Sequence, residues 1–210
     1  MSNDKDIVIT SAFRTPIGSF QGSLKEHKAT ELGAAVVKKC MEHSSLNGSE
    51  VDTVILGQVL QTGCGQNPAR QVAINSGIDK DKTATTINQV CGSGLAAITL
   101  GFNSLKLNDA NIVIAGGQES MTNSPHYLNF RMEKNLSEEK LKDTMLVDGL
   151  IDAYNNYHMG VTAENIAEKY QITRNDQDNF AFNSQRKAIK AINENKFKDE
   201  IVPLNLKNQK

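Results

Sequence analysis

The chain has 210 residues, of which 39% are hydrophobic and 22% are charged, and its formal net charge is −1. This composition is typical of a globular protein with a sizeable core, and the near-neutral charge argues against a nucleic-acid-binding surface. No apolar run reaches the ~20 residues that a membrane span needs, and no cationic leader precedes the first apolar run at residues 7–9. We therefore predict a cytoplasmic protein with no membrane contact.

The first 60 residues predict a strand, a helix and a second strand. Residues 7–10 form a short apolar run, and residues 53–60 form another that is rich in β-branched side chains. Between them, Thr30 is the predicted cap of a helix. Four apolar residues follow at the spacing of one helical face, which places the cysteine among them in the core: Leu32, Ala35, Val36 and Cys40.

A glycine loop at residues 61–66 leads into a short helix. Asn67-Pro68 supplies a cap residue followed by proline at the first helical position, and Gly77 is placed to end the helix in a left-handed conformation. The predicted packed face consists of Ala69, Val72, Ala73 and Ser76.

The next segment predicts a strand at residues 83–90, a helix at residues 95–107 and a buried strand at residues 112–115. The larger apolar residues of this helix are expected to point into the core: Leu95, Ile98, Phe102 and Leu105.

Beyond Gly116-Gly117 the chain becomes more polar. Residues 121–157 predict a loop-and-helix subdomain, residues 162–170 a helix, and Thr173-x-x-Asp176 a capping box that opens a long helix toward Asn195. A strand-like run at residues 201–204 has no evident partner. We divide the chain into a core at residues 1–117 and, at residues 118–210, a loop and helix subdomain that begins to return to the core.

The three cysteines, Cys40, Cys64 and Cys91, are widely spaced and form no C-x-x-C pair. This pattern predicts neither a disulfide framework nor a zinc site. Cys64 lies in a glycine loop ahead of a helix and is a candidate nucleophile, but it is further from the helix start than Cys91 is, and we interpret it as structural. The loop also lacks the Lys-Ser/Thr of a phosphate-binding loop.

Cys91 stands where a predicted strand ends and Gly92 and Gly94 lead into a helix. Free backbone N–H groups and the helix dipole favour thiolate over thiol at such a position, and the same N–H groups are able to meet an oxyanion. From local physics alone, a small buried hydrophobe at a tight turn explains these residues equally well.

The sequence Asn-Gln-Val-Cys-Gly-Ser-Gly-Leu at residues 88–95 resembles the active-site motif of thiolases, in which this cysteine takes the acyl group from acyl-CoA. Residues 14–18 and 115–121 resemble further segments of the family in the same order. Asp148-Gly149-Leu150 and residues 157–165 are similar to the biosynthetic, acetoacetyl-CoA branch, whose His-Met pair lines the acyl pocket.

This resemblance implies an α/β fold made of the amino-terminal half of the thiolase αβα core with part of a helical and loop insertion. It implies acetyl-CoA C-acetyltransferase activity through an acyl-thioester on Cys91. Gly92 and Gly94 would support the oxyanion, and His158 and Met159 would contact the substrate. The implied ligands are acetyl-CoA, acetoacetyl-CoA and CoA, with no metal or redox cofactor, and the implied assembly is a homo-oligomer, a dimer or tetramer.

The family's later motifs are absent: Asn-Glu-Ala-Phe, a Gly-His-Pro histidine and a second catalytic cysteine. Groups that act as a unit lose nearly all their effect when one is removed, so the chain alone is predicted to be inactive or impaired. Two alternatives remain. One is a longer-chain 3-ketoacyl-CoA thiolase, which residues 157–160 argue against, and the other is a non-catalytic fragment.

Overall fold

The computed structural model describes residues 6–132, 137 and 140–206. Its helices are α1 (Ala29–His43), α2 (Pro68–Asn75), α3 (Ser93–Lys106), α4 (Met159–Lys169) and α5 (Arg174–Asn193). Its strands are β1 (Thr53–Gly57), β2 (Thr83–Ile87), β3 (Val113–Gly117), β4 (His126–Tyr127) and β5 (Lys142–Asp143).

The first three strands form a parallel sheet in the order β2-β1-β3, with Thr53 of β1 opposite Thr83 and Val113. Helices lie on both faces of this sheet. Val54 and Leu56 of β1 join the core cluster with α1 and α2, whereas Gly57 and Val113, on the alternate face, lie against α3. The fold is therefore layered α/β, as the sequence predicts.

The main core lies between the sheet and the α1–α2 pair. Its fully buried members include Val51, Val54, Ala69, Val72 and Ala73, each with no exposed surface. Burial of one such valine stabilises the fold by about 1.5–3 kcal/mol, so this layer contributes substantially to the stability.

Helix α2 follows the sequence prediction closely. Asn67 accepts a hydrogen bond from the Arg70 N–H at 3.2 Å through its side chain, and Pro68 is the first helical residue. Gly77 has φ of 88°, the left-handed conformation expected at the helix end. The predicted packed face is confirmed, because its four members are at most 7% exposed.

Helix α1 differs from the prediction in its start and in its buried face. It begins at Ala29 with Lys28 as the cap residue, and Thr30 is buried in the first turn. Its buried stripe includes Ala34, Val37 and Met41, whereas the predicted face, including Cys40, is only partly buried. A Cβ on Gly33 would collide with Gln118 Oε1 and lie 3.0 Å from Val72 Cγ2, so the buried stripe lies against α2 and the Gln118 side chain, which leave no space for a side chain at position 33.

Helix α3 presents its small residues to the sheet, contrary to the prediction. Ser93, Ala97 and Gly101 are buried, and a Cβ on Gly101 would lie 3.0 Å from Val113 Cγ1. Three residues of the predicted inward face, Leu95, Ile98 and Phe102, are 71%, 45% and 46% exposed, and the fourth, Leu105, is partly buried. A helix that is apolar on all sides is expected to have a second burial partner.

The predicted strand at residues 7–10 is not formed, and Val8 and Ile9 are mostly exposed. Arg14 instead makes a parallel bridge to Ile201: its N–H donates to the Glu200 carbonyl and its carbonyl accepts from the Val202 N–H, both at 2.8 Å. The run at residues 201–204 therefore has a partner. β1 and β2 are also shorter than predicted, because they end at Gly57 and Ile87.

The described residues after β3 contain little packed structure. A 3₁₀ turn at Met121–Asn123, the two-residue β4–β5 pair and a π-helical turn at Leu146–Leu150 precede α4. Helix α4 begins three residues before the predicted position, whereas the Thr173 capping box at α5 is confirmed. Neither helix contains a buried residue, and no helix in the described part of the chain is long and apolar enough to span a membrane.

Candidate active site

Cys91 lies at the amino-terminal end of α3, where the sequence predicts it. Ser93 is the first helical residue of this 14-residue helix, Gly92 is the cap, and Cys91 immediately precedes the cap. The cysteine is exposed. A thiol at this position is accessible to a substrate and lies beside the helix end that stabilises negative charge.

The turn that carries Cys91 contains a strained residue. Val90 has φ of 49°, a left-handed conformation that is a true outlier for a β-branched side chain and costs about 1–3 kcal/mol. The Val90 N–H donates to Asn88 Oδ1 at 2.8 Å, and its carbonyl accepts from Ser93 Oγ at 2.5 Å. Ser93 Oγ also accepts from the Gln89 N–H at 2.8 Å. The backbone leading into Cys91 is thus held by side chains on both sides.

Two strand ends lie directly against the first turn of α3. A Cβ on Gly57, at the end of β1, would lie 2.5 Å from both the carbonyl carbon and the Cβ of Ser93. A Cβ on Gly117, at the end of β3, would lie 3.3 Å from Gly94 Cα. Glycine at these positions therefore lets the sheet support the turn beneath Cys91.

The predicted oxyanion groups are partly engaged within the turn. The Gly92 N–H donates to the Gln89 carbonyl at 3.1 Å, and the Ser93 N–H donates to the Val90 carbonyl at 3.0 Å. A substrate oxygen would have to share or replace the first of these bonds. The oxyanion roles of Gly92 and Gly94 stay predictions.

His158 and Met159 lie at the start of α4. His158 is the cap residue, and its Nδ1 accepts from the Gly160 N–H at 2.9 Å, so the proton of the neutral imidazole is on Nε2. Met159 is 46% exposed. In the described part of the chain, no side-chain hydrogen bond or ion pair joins either residue to Cys91, and their contact with substrate stays a prediction.

Cys64 is held in a polar network beneath the loop that follows β1. Gln58, only 1% exposed, donates from Nε2 to Cys64 Sγ at 3.2 Å and to the Leu60 carbonyl at 2.8 Å. Gln118 Nε2 donates in turn to Gln58 Oε1 at 2.8 Å. These contacts favour the structural interpretation of Cys64, because the sulfur completes the hydrogen bonding of a buried amide.

Glu119 is a half-buried carboxylate that sequence reasoning did not single out. Its two oxygens accept from the Val59 N–H at 2.9 Å and from the Leu60 N–H at 3.2 Å. Burial raises the pKa of this carboxyl, and the two backbone hydrogen bonds oppose that shift. Its position two residues after Gly117, at the end of a strand, was the available signal.

Within the described residues, no group of three or more His, Cys, Asp and Glu side chains is arranged to hold a metal ion.

Comparison with known proteins places these features in a family context. A family model described as "Thiolase, N-terminal domain" matches residues 7–210. The acetyl-CoA acetyltransferase of Pseudomonas aeruginosa is 51% identical over 207 residues, which cover 98% of this chain and 53% of that protein. The acetyl-CoA acetyltransferase of Rhizobium meliloti is 50% identical over 210 residues, which cover 100% of this chain and 53% of that protein. The probable acetyl-CoA acetyltransferase of Escherichia coli is 52% identical over 201 residues, which cover 95% of this chain and 51% of that protein. The chain therefore spans about half the length of these curated relatives.

Proposed function

Because this chain belongs to the thiolase family, we propose that it supplies the nucleophile, Cys91, of an acetyl-CoA acetyltransferase. The observation that carries the proposal is the exposed thiol at the amino-terminal end of α3, in the segment that resembles the family's active-site motif. The relatives' names support acetyl-CoA as the acyl donor.

The first step is transfer of acetyl to Cys91. The thiolate attacks the thioester carbonyl carbon, a new C–S bond forms, and the bond to the CoA sulfur breaks, so that CoA leaves as a thiolate and is protonated. The helix end favours the attacking anion, and backbone N–H groups at the turn stabilise the oxygen that becomes negative in the tetrahedral intermediate.

The second step transfers acetyl from Cys91 to a second acetyl-CoA. A base removes a proton from the α-carbon of that acetyl-CoA, and the resulting carbanion attacks the Cys91 thioester, which releases the thiolate and forms acetoacetyl-CoA. General-base assistance contributes about 10²- to 10⁴-fold to such steps. We place this base in the part of the relatives that this chain does not match.

The acyl-chain preference is the finer part of the proposal. The resemblance of residues 157–160 to the biosynthetic branch favours a short acyl group, with His158 and Met159 facing it. The alternative is a longer-chain 3-ketoacyl-CoA thiolase. A 50% identical relative from Staphylococcus epidermidis, named only as a probable acetyl-CoA acyltransferase, leaves room for this alternative.

The test combines the chain with the unmatched carboxy-terminal part of the Pseudomonas aeruginosa relative. CoA-dependent cleavage of acetoacetyl-CoA and of 3-ketooctanoyl-CoA is measured for each part alone and for the mixture. We expect the mixture to cleave acetoacetyl-CoA faster than either part alone does, and faster than it cleaves 3-ketooctanoyl-CoA. We expect a mixture containing Cys91→Ser to be inactive. Preference for 3-ketooctanoyl-CoA would favour the alternative, and activity that survives Cys91→Ser would refute the role of Cys91.

A further inference from the structure

The strained turn before Cys91 requires an explanation beyond the presence of a nucleophile. Valine is a poor residue for a left-handed φ because its branched Cβ crowds the backbone, yet Val90 adopts φ of 49°. Such a conformation persists only where the surrounding structure holds it in place. The groups that hold Val90 therefore also fix the backbone from which the Cys91 side chain projects.

Ser93 is the central group in this arrangement. Its hydroxyl accepts from the Gln89 N–H at 2.8 Å and donates to the Val90 carbonyl at 2.5 Å, so one oxygen joins both residues that precede Cys91. Ser93 is 4% exposed, and its own position is fixed by the close approach of Gly57. It thereby couples the carboxyl end of β1 to the turn.

The Ser93 hydroxyl does not act as a helix cap. Gly92 occupies the cap position of α3, and Ser93 is the first residue inside the helix. Its hydrogen bonds run backward, to residues outside the helix. A residue that only stabilised α3 would not need this geometry.

We propose that Ser93 is a positioning residue for Cys91, acting by holding Val90 in its left-handed conformation. Asn88 assists from the other side, since its Oδ1 accepts from the Val90 N–H at 2.8 Å. The functional meaning of this inference rests on the proposed role of Cys91. The geometric part is independent of that role and is testable without a substrate.

The test is a double-mutant cycle of Ser93→Ala and Val90→Gly in the full chain, with two readouts. One is the rate of iodoacetamide alkylation of Cys91, measured beside Cys40 and Cys64 in the same molecule. The other is the urea midpoint of unfolding. Ser104→Ala is the control, because Ser104 lies in the same helix and, among the described residues, its hydroxyl bonds only to the Leu100 carbonyl, at 3.1 Å.

We expect Ser93→Ala to slow Cys91 alkylation about threefold, as the thiol leaves the helix end, with no change at the other two cysteines. Glycine adopts the left-handed region without steric cost, so the double variant should return to within about twofold of Val90→Gly alone. The Ser104→Ala control should match the unmodified chain in both readouts.

Two results would overturn the inference. A lower urea midpoint with an unchanged Cys91 rate would make Ser93 merely structural, and a double variant about threefold slower than Val90→Gly alone would show that Ser93 does not act through Val90. If Ser93→Ala fails to fold, the exposed Asn88→Ala change replaces it, with the same expected slowing and the same rescue by Val90→Gly.

The proposed function has its own readout, acetylation by acetyl-CoA. A chain that behaves as expected in the cycle but is never acetylated would refute that function and leave the positioning of Cys91 standing.

Discussion

The three thiols differ in exposure and in hydrogen bonding. Cys91 is exposed, whereas Cys40 and Cys64 are partly buried, and Cys64 Sγ also accepts from Gln58. We therefore expect brief, substoichiometric iodoacetamide treatment to label Cys91 first, because reactivity follows access and thiolate character. Peptide mapping by mass spectrometry measures the three sites together. Preferential labelling of Cys64 would contradict the assignment.

Glu119 should make the stability depend on pH. Its folded-state pKa is raised by burial, so the folded chain binds a proton more readily than the unfolded chain at pH values between the unfolded and folded pKa. The contribution of Glu119 to the free energy of unfolding is greatest below its pKa in the unfolded chain and is lost as pH rises through its pKa in the folded chain.

Glu119→Gln tests this contribution. The amide does not titrate, and its NH₂ group replaces one of two oxygens that accept backbone N–H groups, which costs about 1–3 kcal/mol. We expect lower stability at neutral pH and a flatter pH profile than that of the unmodified chain in urea unfolding from pH 4 to 7. An unaltered profile would show that Glu119 does not contribute to the pH dependence.

At the level of elements, the junction between β1 and α3 makes a sharp prediction. Gly57→Ala adds a Cβ 2.5 Å from backbone and side-chain atoms of Ser93, so α3 must shift. Overpacking of this kind costs about 1–3 kcal/mol. We expect a lower urea midpoint together with slower alkylation of Cys91.

Gly116→Ala is the matched control for this junction. It lies at the end of the neighbouring strand, but a Cβ there meets only Leu56 Cδ2, at 4.0 Å. This variant should have the same urea midpoint of unfolding and the same rate of Cys91 alkylation as the unmodified chain. Equal effects from the two glycines would contradict the proposed close contact.

The helix faces explain why sequence periodicity succeeded for α2 and failed for α1 and α3. In α2 one stripe contains Ala69, Val72 and Ala73, and that stripe is buried. In α1 and α3 apolar residues extend around the helix, so periodicity offers several faces. The buried face contains Gly33 in α1 and Gly101 in α3, where a Cβ would crowd side chains of Gln118 and Val72 or of Val113 and Ala115. Close packing against these side chains decides the face, and a hydrophobicity pattern does not report it.

For the whole molecule, the outer face of α3 is the feature that most affects behaviour in solution. Leu95, Ile98 and Phe102 lie exposed on it, and the curated relatives are about twice as long as this chain. Exposed apolar patches of a few hundred Å² mark interfaces or sites of aggregation. We expect the isolated chain to associate at low micromolar concentration, and Leu95→Lys to reduce that association. Light scattering measures both, and a clean monomer would contradict this prediction.

The resemblance to thiolases implied the layered α/β fold, and the strand-to-helix junction, which is a local signal, predicted the place of Cys91. The sequence did not predict the strained Val90, the Ser93 bridge or the Glu119 bonds. Each of these depends on which strand ends lie beside α3 and the loop after β1, and that juxtaposition follows from the packing of the whole core.

The most direct test of the central claim, that Cys91 accepts the acyl group, is to incubate the chain with radiolabelled acetyl-CoA and map the protein-bound label. We predict label on the peptide containing Cys91, retention of that label in Cys64→Ser and loss of it in Cys91→Ser, with no sustained formation of acetoacetyl-CoA by the chain alone. Label that persists in Cys91→Ser, or that maps to Cys64, would contradict the claim.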